Sequence, residues 1–458
     1  MTSLILDSSA AEPYTPPVLD EQQQSVVDHR IGAMRVLAGP GTGKTTTLVA
    51  AMAARISGDD ALRPDQVLGL TFGRKAALEW RDQVTAAVGG GIVPTVSTFH
   101  SFCYALLRKF AENDSYEIAT RLLSGPEQQV RAQALFIQAV HEGRLNWPED
   151  LMSSLTTRGL AEEVRAVMAQ TRSRMMDPSD LSQLGVQSQR PLWIEIGKFM
   201  DEYLDVLGFE EVLDYSELIY RAVLLAQEPE VREYLNSTFK AIYVDEYQDT
   251  DPGQVTLLKA MVTADTSLVV VGDVDQAIYG FRGADESGIR NFKSDFAAIY
   301  GERITDVVLN SCRRFGTQIR AAARAVIGDR VPAGFDEADI FRHRSPVCSA
   351  ENPGAVRVST FDSDGAQASH IADIIIRKHV NDGVPWSDMA VIVRSAVATL
   401  PAIYRALVSA GVPVEVAQDE IPFTIQRSYF ISHVPDPSIV RGGHRHKASS
   451  QALICVAG

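Results

Sequence analysis

The sequence predicts an α/β protein. A parallel-sheet core carrying a phosphate loop is split by a helical insertion and followed by a second, incomplete α/β core. Three observations predict it. The apolar runs "MRVLA", "AIYV" and "TSLVVVG" lack polar alternation, as strands covered on both faces do. The first of them passes through a glycine-rich turn into a run with apolar residues at helical spacing, the opening half of a βαβ unit. Between about Ala111 and Thr238 the β-branched signals fade and Gln-, Glu-, Arg- and Ala-rich amphipathic runs replace them.

In order, residues 1–17 read as a disordered lead, without the basic start and apolar stretch of a secretion signal. Residues 18–110 form the first part of the first core: "MRVLAGPGTGKTTTLVAAMAARI", then strand "QVLGLTF", helix "RKAALEWRDQV" and strand-to-helix "IVPTVSTFHSFCYALLRKF". Residues 111–238 are the insertion, with runs such as "EQQVRAQALFIQAV" and "LWIEIGKFMDEYLDVL". Residues 239–305 complete the first core through "FKAIYVDEYQDT" and "TSLVVVGDVDQAIYGF". Residues 306–423 begin the second core with "DVVLNSCRRF", "AQASHIADIIIRKHV" and "DMAVIVRS". Residues 424–458 hold four Lys/Arg against one Asp, show no sustained period, and read as a disordered tail. Its "GHRHK" offers two histidines without a third ligand, the pattern of a solvated charge cluster.

Composition narrows the function. A chain of 458 residues is long enough for several domains. Its formal charge of −15 repels polyanions overall, so any nucleic-acid contact must use a local groove. Cys103, Cys312, Cys348 and Cys455 show no zinc or iron–sulfur spacing and read as thiols in a reducing compartment. No run approaches the 18 apolar residues of a membrane span, and a cytoplasmic protein is expected.

The stretch "LAGPGTGKTTT" carries the first chemistry. A phosphate loop wants Gly at its first position; here Ala38 stands there, followed by Gly39, Pro40, Gly41, Thr42, Gly43, Lys44, Thr45 and Thr46. Glycines turn successive N–H groups inward on a phosphate, and the helix adds its positive N-terminus. Lys44 is then expected on the β/γ oxygens and the Thr45 hydroxyl on Mg²⁺. A loop of this kind also demands a distant acidic residue at a strand end. "AIYVDEYQDT" supplies Asp245 for the magnesium, with Glu246 as general base for the attacking water. The competing readings are a glycine-rich turn with a chance lysine and a solvated acidic pair.

Over about residues 18–423 the chain resembles superfamily-one DNA helicases of the UvrD/Rep type, including the RecB-like motor subunits of helicase–nucleases. "LDEQQ", "AGPGTGKT", "TFGRKAA", "STFHSF", "VDEYQDT" and "VVGDVDQAIYGFRGA" follow the family's order. The resemblance implies RecA-like cores, ATP with Mg²⁺, and single-stranded DNA as partner, with a helicase–nuclease subunit as a possible second. It places Gln23 on the adenine and Gln276 on the γ-phosphate. Phe72, Arg74, Thr98, His100, Tyr279, Phe281 and Arg282 line the strand path. Bases stack on aromatic rings without sequence readout, and Phe72, Phe99, His100, Tyr279 and Phe281 sit just past strand ends. Taken singly, each aromatic reads first as core packing, and the motif context turns that reading for Phe72 and Phe281 more than for Phe99.

One motif departs from the pattern. Where the family has Asn-Tyr-Arg, "LNSCRRFG" aligns Arg314 with the γ-phosphate arginine and Arg313 with the adenine-stacking tyrosine, a role a planar guanidinium can fill. A register one residue off would make Arg313 the phosphate ligand. After residue 423 the family's remaining motifs are not recognisable, which reads as a truncation or shifted reading frame, with a fragment, a natural C-terminal variant and a gene-model error as alternatives. The expectation is an ATP-dependent helicase that moves 3′→5′ on single-stranded DNA and is impaired in this form. The alternatives are a non-catalytic nucleotide- and DNA-binding scaffold and, less well supported, a small-molecule kinase or P-loop GTPase.

Overall fold

The computed structural model describes residues 14–89, 93–110, 121–278, 287–394, 396–417, 429–431 and 452–455. The chain divides into two compact units. One holds nearly all described residues up to Arg313 together with Asp329–Val347, and the other holds Arg314–Gly328 and the described residues from Cys348 onward.

The first unit is built on six strands: β1 Gly32–Ala38, β2 Val67–Thr71, β3 Thr95–Thr98, β4 Ala241–Val244, β5 Ser267–Gly272 and β6 Ile304–Leu309. They run in the order β3-β2-β4-β5-β1-β6 with every pairing parallel. Period-two alternation sends Met34, Val36 and Ala38 to one face, against helices Glu21–Val27, Lys44–Ser57 and Arg74–Ala87. Ala33, Leu37, Ile242, Val244 and Val270 face the other way, against helices Phe99–Phe110, Tyr215–Gln227, Pro252–Met261 and Ser287–Tyr300. Cover on both faces is why the strands read as unbroken apolar runs.

Two expected boundaries move. The strand containing Asp306 pairs with β1 and so belongs to the first sheet, and Asp329–Val347 lies in the same unit, so the break expected after residue 305 falls inside β6. An apolar run declares a strand but not its sheet. Within the expected insertion, helices Gly125–His141, Arg158–Ser173, Pro178–Gln187 and Pro191–Phe209 form their own core around Phe136, Phe199 and Met200. Helices Tyr215–Gln227 and Pro229–Thr238 instead bury Leu218, Val223 and Leu235 in the core of the sheet. Amphipathicity says that a helix has a face to bury, not what covers it.

In the second unit, helices Asp364–Asp382 and Ala396–Ser409 pack with strand Met389–Ile392 around Ile371, Ile375, Val391 and Leu407. The expected disordered tail contains two strands: Tyr429–Ile431 pairs antiparallel and Ala452–Cys455 parallel with Met389–Ile392. Such short segments take their order from a neighbouring strand rather than from local period, which is why no periodicity announces them. Among the described residues no helix is long and apolar enough to cross a membrane.

Candidate active site

The sheet order sets the site. β4, β5 and β1 are successive neighbours, so Asp245 after Val244, Asp273 after Gly272 and the turn after Ala38 emerge side by side at the carboxyl edge. Open α/β sheets bind their ligands at this edge.

The turn is held by its own bonds. Thr42 Oγ1 donates to the Gly39 carbonyl at 2.7 Å and Thr47 Oγ1 to the Gly43 carbonyl at 2.8 Å. No side chain caps the helix that starts at Lys44, so its first N–H groups remain for an anion. Gly43 has φ +87°, and a Cβ there would stand 2.6 Å from Gln23 Nε2. Gly89 has almost the same φ, +88°, with nothing within 4 Å of such an atom. Both Gly→Ala changes are therefore expected to cost about 1–2 kcal/mol of left-handed strain, with a further loss only at Gly43, where Gln23 must move. Equal shifts of the thermal midpoint in the two variants would contradict this.

Lys44 Nζ donates to both Glu246 oxygens, at 3.0 and 2.9 Å. Burial alone would lower the Lys44 pKa, but Glu246, Asp245 and Asp273 outweigh it and the net shift is upward. Burial and then Glu246 push the Asp245 carboxyl up to about 6 and the Asp249 carboxyl up to about 7. Glu246 itself adopts φ +51°, a left-handed backbone that a residue with a side chain enters only when its surroundings impose it. Gln248 braces it: Nε2 donates to Glu246 Oε2 at 2.8 Å, while Gln248 Oε1 accepts from the Asp273 N–H at 3.0 Å. Gln276 Nε2 donates to Asp273 Oδ2 at 2.5 Å.

Gln23 closes the opposite side. Its Nε2 donates to the Thr42 carbonyl at 3.3 Å, and its Oε1 accepts from the Asp20 N–H at 3.1 Å. Arg313 reaches the same place: its guanidinium donates to Asp20 Oδ2 at 3.1 Å and Gln23 Oε1 at 3.4 Å, and its N–H to the Gly41 carbonyl at 2.9 Å. Arg313 thus stands beside Gln23, while Arg314 opens the second unit. Thr45 and Thr46 lie on the first helical turn, neither of them buried, whereas Ala38 ends β1 fully buried and contributes a core methyl group.

The described strand-path residues lie further along the same carboxyl edge. Thr71 pairs with Thr98, so Phe72 and His100 leave adjacent strand ends. Burial and the nearby Arg74 push His100 down to about 4, and its ring meets Tyr215 edge-on at 5.0 Å. Arg74 and Lys75 occupy the first turn of their helix, where the dipole disfavours cations and an approaching anion would be welcome. Thr98 Oγ1 accepts from the Ser101 N–H at 3.1 Å and caps a helix. Phe99 is core, 3% exposed. Tyr279, Phe281 and Arg282 lie outside the described residues.

Asp20, Gln248, Asp249, His343 and Arg344 carried no individual role in the sequence. The first three stand inside recognised segments. His343 and Arg344 had no signal, being about seventy positions from the carboxylates they touch, Asp273 and Asp275. Asp273, Asp275 and His343 place ligand-type atoms within 4.8 Å of one another, but Arg344 takes both Asp275 oxygens and protein donors take those of Asp273.

Residues 19–297 match the family model of the UvrD/REP helicase N-terminal domain, and residues 407–458 match a second model described as WxcM-like, C-terminal. The chain is 27% identical over 384 residues to the ATP-dependent DNA helicase PcrA of Staphylococcus aureus, covering 82% of this chain and 48% of that protein. The corresponding protein of Staphylococcus epidermidis is 28% identical over 385 residues with the same coverage. The chain therefore spans about half the length of the curated relatives it matches.

Proposed function

Since the chain belongs to the UvrD/Rep helicase family, we propose that it binds Mg-ATP at the Lys44–Glu246 site and couples hydrolysis to movement on single-stranded DNA. One observation carries this reading: Lys44 Nζ lies within 3.0 Å of both oxygens of Glu246, a residue 202 positions away. A solvated acidic pair has no need of that lysine, whereas a phosphate site needs both groups at one point.

Magnesium fits the residues present. Asp245, Glu246 and Asp249 stand beside a single ammonium, and burial together with Glu246 raises the Asp245 and Asp249 carboxyls, so these acidic oxygens would be suited to a divalent ion. Thr45 and Asp245 would hold the ion, which supplies positive charge to the phosphate oxygens. Lys44 exchanges Glu246 for the β/γ-phosphates. Glu246, released, accepts a proton from the attacking water, and Gln276 contacts the γ-phosphate. Gln23 reads the adenine edge while the Arg313 guanidinium stacks on its face.

By the family resemblance, Arg314 is proposed as a further γ-phosphate ligand. Phe72, Arg74, Thr98 and His100, with Tyr279, Phe281 and Arg282, form the strand path. The 3′→5′ direction, a place in DNA repair or recombination, and a helicase–nuclease partner subunit are proposed from the family resemblance.

Single-turnover hydrolysis by the 458-residue chain, with and without a single-stranded oligonucleotide, tests the coupling. The oligonucleotide is expected to raise the rate, and Lys44→Ala to remove both the basal and the stimulated rate. Nucleotide binding with no hydrolysis under either condition would favour a non-catalytic scaffold instead.

A further inference from the structure

The segment from Asp329 to Val347 returns to the first unit and ends helix Glu337–Arg344 against the phosphate turn. His343, in its last turn, is 4% exposed. A Cβ on Gly39 would meet its ring carbon Cε1 at 3.7 Å, so the imidazole lies directly against the start of that turn. Its Nε2 faces Asp273 Oδ1 at 2.9 Å, which requires the proton on that nitrogen, since a carboxylate only accepts.

Asp273 is a junction. Oδ1 also accepts from the Asp275 N–H at 3.0 Å, and Oδ2 accepts from Gln276 Nε2 at 2.5 Å. Burial would raise its pKa, but the bonds from His343 and Gln276 outweigh burial and keep the carboxyl below the ordinary range, an anion with its acceptors filled. The neighbouring Arg344 binds Asp275 with two parallel bonds, Nε to Oδ2 at 2.8 Å and Nη2 to Oδ1 at 2.6 Å. Two consecutive side chains thus grip two carboxylates of one loop, and that loop carries Gln276.

We propose that His343 is a positioning residue for nucleotide sensing: through Asp273 it fixes the carboxamide of Gln276, and Arg344 secures the same loop through Asp275. This rests on the assignment of Gln276 to the γ-phosphate. A free glutamine side chain must lose rotamer freedom to make that contact. One already tied to a rigid, charge-paired aspartate has lost it beforehand, and the contact favours triphosphate over diphosphate.

The test compares the affinities of the full chain for a fluorescent ADP and a fluorescent non-hydrolysable ATP analogue, both with magnesium. It needs no turnover. Gln276→Ala and His343→Ala are each expected to cut the preference for triphosphate about tenfold, within the range for coupled neighbours, with ADP affinity changed less than about twofold. The double variant is expected to lose no more than either single one. His343→Gln, which keeps a donor, is expected to recover part of the preference. If His343→Ala keeps the wild-type preference while Gln276→Ala loses it, or if the two losses multiply, the proposal fails and the assignment of Gln276 stands. If Gln276→Ala itself changes nothing, that assignment fails and the proposal with it. Should His343→Ala lose ADP binding outright, Arg344→Met decides: a lost preference with intact ADP binding supports the proposal, and a retained preference overturns it.

Discussion

Glu246→Gln is expected to slow ATP hydrolysis by about 10²–10⁴-fold, the range a positioned general base supplies, while nucleotide still binds. In the resting site Glu246 holds the Lys44 ammonium through both its oxygens. Phosphate must displace that carboxylate before the lysine can serve it. Glutamine keeps the shape and the bond from Gln248 but removes the competing charge and the proton acceptor together. Nucleotide affinity should therefore hold or rise as hydrolysis collapses, and Lys44→Ala should lose both. Burst-phase hydrolysis with fluorescent-nucleotide titration reads the two effects separately, and normal turnover by the Glu246→Gln variant would remove Glu246 from the chemistry.

Arg35→Leu is expected to destabilise the first unit by about 3–5 kcal/mol, the cost of stripping one partner from a buried ion pair. Arg35 is 1% exposed in the centre of β1. It pairs in register with Asp306 on β6 and donates to it at 3.0 and 2.7 Å. The same guanidinium bonds the Ile289 carbonyl at 2.8 Å and the Gly334 carbonyl at 3.4 Å, and packs on the Phe335 ring at 4.4 Å. One cation thus ties strand, edge strand, helix and returning segment together. Lys293 Nζ, half exposed, also meets Asp306 Oδ2 at 2.8 Å, so Arg35→Leu leaves that carboxylate one partner. Adding Asp306→Leu is expected to restore only part of the loss, since the carbonyls still lack a donor. Thermal unfolding followed by circular dichroism reads the series. A single variant that melts with the wild type would show that the pair contributes nothing net.

The candidate phosphate site was legible because its pattern is local. Spacing alone put Gly41, Gly43, Lys44 and Thr45 on a strand–turn–helix, and "VDEYQDT" announced itself by its own residues. The helix N-terminus left without a side-chain cap and the left-handed Gly43 are what that spacing demands. Arg313 was partly legible, from its count past Leu309. Its place beside Gln23 and Asp20 came only with β6 lying next to β1.

Element types, the strand–turn–helix around Gly41 and the residues proposed to act there can all be read from the chain alone, since each follows from contacts within a few residues. Packing in three dimensions chose which sheet received residues 304–309 and which helices left the insertion to cover that sheet, and it set His343 and Arg344 on Asp273 and Asp275. The difference is one of range, because backbone period and turn chemistry act between near neighbours. A buried charge finds its partner through packing, across separations of about seventy residues for His343 and 271 for Arg35, over which a chain carries no record of its neighbours.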